Sequence, residues 1–442
     1  MRLNYYLAKG SLVGALGGFL FGFDTAVISG TTQQLSDVYH LSSFNLGLTV
    51  SIAVIGAVIG AISSGELGQK IGPRQALRVM ALLYLLSSIG CAFAWSWSAL
   101  VVFRFLGGLG IGGSSVLGPV YIAELAPAKW RGRLVGLFQI NIVIGILIAY
   151  ASNYIIATMN TGATEWRWQL GIAAVPAAVF LVLLFAIPRS SRWLVTQSRI
   201  DEARKVLQMM GSPNSEAELQ EIIASIHLEQ STRKEPLFQK KYRLPIFLAV
   251  TIGLFNQLSG INAILYYLPS IFNDAGFNKL SGDKQAVLVG FMNLVATLLA
   301  MSVIDKLGRK TLLLIGSVGT AVSLAGVAEI FHAQRGQSML LWYIIGFIFF
   351  FGISQGSVIW VYLSEVFPTK VRSKGQSLGS SSHWIMNAAL SLLFPIVAEH
   401  SSAAPFVFFA VMMAVQFFVV LFIYPETKGI TLEQMQHKLG IE

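Results

Sequence analysis

About twelve windows of predominantly apolar sequence run through this chain, each long enough at roughly 20 residues to cross a bilayer as a helix. They begin near Ser11, Phe44, Gln75, Trp97, Gly132 and Trp168, and after a polar interval near Leu244, Gln285, Thr311, Leu340, Gly375 and Pro405. No other feature limits the fold as much. Backbone groups in hydrocarbon have no water to bond, so each window must satisfy them internally, as a helix does. The expected class is an all-α membrane protein of twelve transmembrane helices with helices outside the bilayer. A composition of 55% hydrophobic and 12% charged residues excludes an ordinary soluble protein. The first window lacks a small-residue cleavage site and the polar region that would follow it, so it is expected to stay as a helix.

The formal charge of +10 would suggest a nucleic-acid partner in a soluble domain. Here 26 of the 31 Lys and Arg fall before the first window, in every second loop and in the tail, ten of them in the central interval. By the positive-inside rule those segments and both termini are cytoplasmic, and no nucleic acid need be invoked. Cys91 is the single cysteine and the six histidines are scattered, so no disulfide, metal site or cofactor is expected. No nucleophile-base pair supports an enzyme.

Polar residues inside the windows carry the functional signal, because each must find a partner or line a pathway. Asn256 to Tyr267 places three amides, a Ser-Gly step and two tyrosines between apolar flanks. Gly260 can unwind the helix there, and freed backbone is tolerated at membrane depth where it lines a cavity. An amide offers both donors and an acceptor, which suits a polyhydroxylated ligand. Asp24 in the first window needs a partner, and Arg104 in the fourth is the leading candidate. A buried carboxylate beside a guanidinium stays ionised and takes up a proton without one, so the pair reads as a coupling device or, alternatively, as scaffolding. Gly14, Gly18 and Gly22 read as close helix packing. So do Gly108, Gly110 and Gly113, although they fit a dinucleotide G-x-G-x-x-G, because they lack its strand-turn-helix setting.

The halves echo one another. Glu124-Leu-Ala-Pro-Ala-Lys-Trp-Arg131 follows the fourth window and Glu365-Val-Phe-Pro-Thr-Lys-Val-Arg372 the tenth, while Gly65 to Arg74 and Asp305 to Lys310 repeat after the second and eighth. Two loops repeating at nearly one offset imply duplicated six-helix halves. The charges are topology signals or a cytoplasmic latch built from Glu124, Arg131, Asp305, Arg309, Glu365 and Arg372.

With F-G-F-D-T-A-V-I-S-G (Phe21 to Gly30), the paired E-x-x-P-x-x-x-R loops, Q-L-S-G-I-N-A, D-K-L-G-R-K and P-E-T-K-G (Pro425 to Gly429), the chain resembles the sugar porter branch of the major facilitator superfamily over nearly its whole length. The resemblance implies two pseudo-symmetric six-helix bundles, residues 1–188 and 244–424, rocking around a mid-membrane sugar site, with a helical linker at 189–243 and a tail at 425–442. It implies sugar contacts from Phe21, Gln139, Gln257, Asn262, Asn293, Trp360, Trp384 and Asn387, and an outer gate from Tyr266 and Tyr267. Helix-to-helix hydrogen bonding for Gln139, and packing or interfacial anchoring for the tyrosines and tryptophans, are the alternatives. Asp at position 24 resembles the proton symporters, so a proton is the expected coupling ion. Asn256 and His383 also fall at sugar-site positions but depart from the pattern where selectivity would be set, Asn256 with a shorter reach and His383 able to donate to a hydroxyl or to titrate near neutral pH; further departures are Gln69 in place of an aspartate and Pro188-Arg-Ser-Ser-Arg192, where P-E-S-P-R is usual. The last two take carboxylates from the N-terminal side of the latch.

In the linker, Ser198 to Gly211 reads as an amphipathic helix ended by glycine and Ser215 to Glu218 as a capping box opening another; Thr431 to Leu439 can add one in the tail. The expected function is import of a monosaccharide, hexose or pentose, by proton symport, by a monomer in the plasma membrane. A facilitative uniporter, a polyol transporter and a non-transporting sugar sensor are the alternatives.

Overall fold

The computed structural model describes residues 4–126, 128–211, 214–232, 236–368, 371–430 and 432–441; the side chains of Arg131 and Asp305, both assigned to the latch, lie outside what is described. Among the described residues the secondary structure is helical throughout. The helices run α1 (Tyr5–Val27), α2 (Thr32–Tyr39), α3 (Ser43–Ile71), α4 (Pro73–Ala92), α5 (Trp97–Leu125), α6 (Ala128–Thr158), α7 (Glu165–Gly171), α8 (Ala174–Leu183), α9 (Ser191–Thr196), α10 (Ile200–Met209) and α11 (Ser215–Thr232). They continue as α12 (Arg243–Leu258), α13 (Ile261–Asp274), α14 (Lys279–Leu307), α15 (Arg309–Ala333), α16 (Leu340–Ile353), α17 (Gln355–Glu365), α18 (Arg372–His400), α19 (Ala404–Phe422) and α20 (Leu432–Lys438).

Twelve stretches are long and apolar enough to cross a membrane, and they coincide with the windows read from the sequence. Their outward faces stay apolar: Ile62, Phe93, Val182 and Phe422 are each more than two-thirds exposed, which lipid rather than water accommodates. Three spans are broken: α7–α8, α12–α13 and α16–α17. The second break falls at Gly260, whose φ of +83° is left-handed and whose missing Cβ makes room for the Phe409 ring. The third falls at Ser354, between Gly352 and Gly356.

In the linker, α10 ends at Gly211 (φ +77°) as expected, but the cap of α11 is Asn214 rather than Ser215. Its Oδ1 accepts from the Ala217 N–H at 3.1 Å, so the helix begins at Ser215, one residue earlier than a Ser215 capping box requires. Ser190 caps α9 by accepting from Trp193 N.

By compactness the chain forms two units. One comprises Met1–Val27, Ile52–Ala149 and Thr164–Lys234; the other comprises Ile28–Ser51, Tyr150–Ala163 and Glu235–Glu442. The duplication would divide the chain near its middle, yet the ends of the first, second and fifth spans farthest from the Lys/Arg-rich loops join the second unit. They do so by contacting α13 and α18: Thr32 and Ser270 hydroxyls meet at 3.0 Å, Asn273 donates to Gln33 at 3.1 Å, Tyr150 OH donates to the Leu265 carbonyl at 2.8 Å, and Gly47 lies against the Leu392 backbone. The second unit also has a buried cluster around Tyr242, Leu248, Tyr362, Phe367 and Tyr424, which Met435 and Leu439 of the tail complete.

Candidate functional site

In the first unit, glycines bring three helices close enough to bury a charge pair. A Cβ at Gly18 would lie 2.5 Å from the Phe138 carbonyl and one at Gly22 would collide with the Ile142 carbonyl, so α1 and α6 touch backbone to backbone. Gly108 and Gly112 meet the α3 backbone at Ala53 and Ala57, while Gly110 and Gly113 meet α4 at Met80. These glycines pack helices. Held this way, Arg104 on α5 places Nη1 2.9 Å from Oδ1 of Asp24 on α1, with side chains 4% and 16% exposed. The Tyr84 hydroxyl donates to the same oxygen at 3.5 Å. Protonating that carboxylate would remove the anion both donors share and free the guanidinium. Phe21 and Gln139 are half-buried in this unit, and the Gln139 amide has no partner among the described residues, leaving its hydrogen-bonding groups open.

In the second unit, the break at Gly260 turns an amide row into an oriented chain. Asn256 Nδ2 donates to the Gln355 carbonyl at 3.3 Å, Gln257 Nε2 to Asn256 Oδ1 at 3.0 Å, and Asn262 Nδ2 to Gln257 Oε1 at 3.0 Å. Ser259 Oγ donates to the Asn256 carbonyl at 2.7 Å and accepts from the Ile261 N–H at 3.3 Å, bridging the break. Each bond polarises the next, and the acceptor left open is Asn262 Oδ1 at the half-buried end. Asn256 and Gln257 are 4% and 1% exposed and engaged with protein partners, so they orient the chain more than they reach out of it.

His383 on α18 closes the other end. Both ring nitrogens lie 3.3 Å from Gln257 Nε2, so whichever is unprotonated accepts. The ring sits between Trp360 and Trp384, with centroids 5.3 Å from each. Trp360 is 40% exposed and presents its indole, whereas Trp384 is buried at 8%. Asn293 on α14 is buried with no partner among the described residues. Asn387 donates to the Tyr266 hydroxyl at 3.5 Å, and Tyr267 donates to the Ser391 carbonyl at 3.0 Å while stacking on Phe394. The two tyrosines therefore tie α13 to α18. An aromatic face beside open amides is what a pyranose ring, apolar on its C–H face and polar at its rim, requires.

Sequence reasoning missed Tyr84, because a tyrosine in an apolar run carries no signal of its own. It also missed Gln355 and Gln416, a buried amide pair at 2.8 Å behind Asn256, which the argument used for Gln139 would have found.

At the Lys/Arg-rich ends each unit has a corner. In the second, Arg309 makes a two-pronged pair with Glu365, Nη2 to Oε1 at 2.9 Å and Nε to Oε2 at 3.2 Å, and Thr427 donates to Glu365 at 2.6 Å. Glu426 accepts from the backbone N–H groups of Arg309, Lys310, Thr427 and Lys428 at 2.9 to 3.0 Å. Burial pushes its carboxyl up, but those four donors outweigh it and hold the group below the usual carboxylate range. In the first, Arg74 donates to the Ile187 carbonyl at 2.7 Å and Arg78 to the Leu184 carbonyl at 3.0 Å. Of the other latch residues, Glu124 is half-buried and Arg372 donates to its own loop at Phe367.

The family model described as "Sugar (and other) transporter" matches residues 10–439. The arabinose-proton symporter of Bacillus subtilis is 37% identical, over 98% of this chain and 94% of its own. The glucose transport protein of Synechocystis is 35% identical over 96% and 95%. The solved xylose transporter of E. coli, in its inward open conformation, superposes with a TM-score of 0.87 at 32% identity, over 98% of this chain and 100% of its own.

Proposed function

The chain belongs to the sugar transporter family, and from that premise we propose that it imports a monosaccharide, hexose or pentose, in symport with a proton. The observation that carries the coupling is the buried Asp24–Arg104 pair with Tyr84 on the same oxygen. Proton uptake at that carboxylate removes the charge that Arg104 and Tyr84 share, and proton loss restores it. Sugar binding and proton loading then bias the same conformational equilibrium from different residues, which is the requirement for coupling.

In the second unit the sugar is held by Asn262 Oδ1, Asn293 and Asn387, with Trp360 under the ring, and Asn256, Gln257 and His383 keep the amide chain oriented; in the first unit the open amide of Gln139 offers the same chemistry. Tyr266 and Tyr267 act as the gate. The latch role assigned to Glu124, Arg131, Asp305, Arg309, Glu365 and Arg372 is carried in the second unit by the Arg309–Glu365 pair, whose bonds break and re-form through the cycle. The protein works as a monomer without a cofactor other than the proton. The bias of 26 of the 31 Lys and Arg to alternate segments supports cytoplasmic termini.

The test is uptake in proteoliposomes with a panel of competing hexoses, pentoses and polyols, with and without a pH gradient. Wild type should concentrate one monosaccharide only with the gradient. Asp24→Asn should lose accumulation and keep counterflow exchange. Accumulation by the variant at the wild-type rate would remove the coupling assignment; inhibition by polyols alone would remove the substrate class.

A further inference from the structure

Among the described residues, the first unit has a cationic corner whose three arginines, Arg74, Arg78 and Arg189, pair with no carboxylate. The two duplicated corners superimpose in role: Pro188-Arg189-Ser190 stands where Pro425-Glu426-Thr427 stands, and each proline carbonyl accepts from a tyrosine, Tyr121 at 2.7 Å and Tyr362 at 3.2 Å. In the second unit the carboxylate of Glu426 fills the corner. In the first, the same place holds Arg189, a cation.

The consequences are visible around it. Arg74 and Arg189 line the turn at Gly72 with Arg78 one helical turn on, and the described groups that act on Arg74 are the other two arginines and the Tyr121 hydroxyl; the Glu124 carboxylate acts on Tyr121. Nε of Arg74 is buried and bonded to nothing. Gly72, Arg74, Gln75, Arg189 and Trp193 line a narrow crevice, too tight to swallow an ion, so an anion would seat at its mouth with its oxygens directed inward. Three guanidiniums without a counter-ion repel one another, and a shared anion reverses the sign of that energy. The setting says which anion. The Arg78 guanidinium lies 3.9 Å over the Phe185 ring, and Phe185 and Val182 are 65% and 67% exposed at the end of an apolar span. That places the cluster where hydrocarbon gives way to headgroups, and basic pockets at this depth take lipid phosphates.

We propose that the Gly72 corner binds the phosphate of an anionic lipid headgroup, seated by Arg74, Arg78 and Arg189, which takes the place that Glu426 fills in the second unit. The bound lipid would complete the corner from outside the chain.

The full chain in detergent, supplemented with phosphatidylglycerol, phosphatidylcholine or inorganic phosphate, should be followed by thermal unfolding and by native mass spectrometry of retained lipid. Phosphatidylglycerol should stabilise it and stay bound; phosphatidylcholine and inorganic phosphate should do neither at equal concentration. Arg189→Glu, which supplies an internal carboxylate, should weaken phosphatidylglycerol retention about tenfold, and Arg189→Gln, the milder change, by a few-fold. Lys284→Glu, the same charge reversal on an exposed residue of α14, should leave it unchanged. Equal losses in Arg189→Glu and Lys284→Glu, equal retention of phosphatidylcholine, or equal protection by inorganic phosphate would each overturn the proposal.

Discussion

At Gly72 and at Gly308 the chain makes the same turn, φ +88° with ψ 148° and φ +90° with ψ 159°, and then enters a transmembrane helix, yet different chemistry holds the two turns. After Gly308 the helix opens with Arg309 and Lys310, whose N–H groups are capped by Glu426. After Gly72 it opens with Pro73, which has no N–H to cap and whose fixed φ already suits the first helical position. Loss of the glutamate and gain of the proline thus compensate. The duplicated corner survives because the backbone problem, four orphan donors at a helix start, has more than one solution. What the two solutions leave behind differs: a closed ionic network in the second unit, and in the first Arg74 and Arg78 facing carbonyls with Arg189 over the Trp193 ring.

Breaking the ionic network should have the largest effect. Glu365→Ala strands a guanidinium that is nearly buried and loses the Thr427 bond, so thermal unfolding should show a loss of roughly 2–3 kcal/mol. A loss smaller than that of any first-corner variant would mean that the network is ornamental. Next comes Glu426→Gln, which keeps the size but weakens four charge-assisted bonds, at about 1–2 kcal/mol. It also carries a pH signature. A carboxyl held below its ordinary value in the folded state stabilises fully above the unfolded value and ceases to as pH falls through the folded one. Wild type should therefore lose stability on acidification below the ordinary carboxylate range, and the variant should lose less. An unchanged acid limb would show that the four donors do not favour the anion. Smallest is Pro73→Ala, at about 0.4–1 kcal/mol, which frees backbone in the unfolded chain and exposes an N–H that nothing caps. A loss matching that of Glu426→Gln would show that the proline does the whole work of the missing carboxylate.

The same contrast runs through the site. Asp24 was legible because a carboxylate in hydrocarbon demands a partner, and Arg104, deep in the apolar run of the fourth span, was there to answer it. The amides of α12 and α13 were legible for the same reason, as was the break at Gly260. The order of the bonds among them was not. That Asn256 anchors on Gln355 and that Gln257 bonds His383 follow from α17 and α18 lying against α12, contacts 99 and 126 residues away in sequence, whereas the bond to Asn262 is local, across the Gly260 break. Ser354, rather than either neighbouring glycine, breaks the tenth span because its hydroxyl turns back on the Phe350 carbonyl at 2.5 Å, a bond that composition does not announce.

The sequence by itself determined where the chain enters and leaves the bilayer, that it is duplicated, and which polar residues could not be idle. Those are local quantities, because transfer to hydrocarbon is set segment by segment and every buried polar group must be satisfied somewhere. Tertiary structure decided who satisfies whom. It placed Tyr84 beside Asp24, joined Arg309 to Glu365 inside one unit, capped the corner at Gly308 with Glu426, and among the described residues set Arg189 rather than a carboxylate at the corner at Gly72. A hydrogen bond depends on which helix faces which, and that is fixed by packing between segments far apart in the chain.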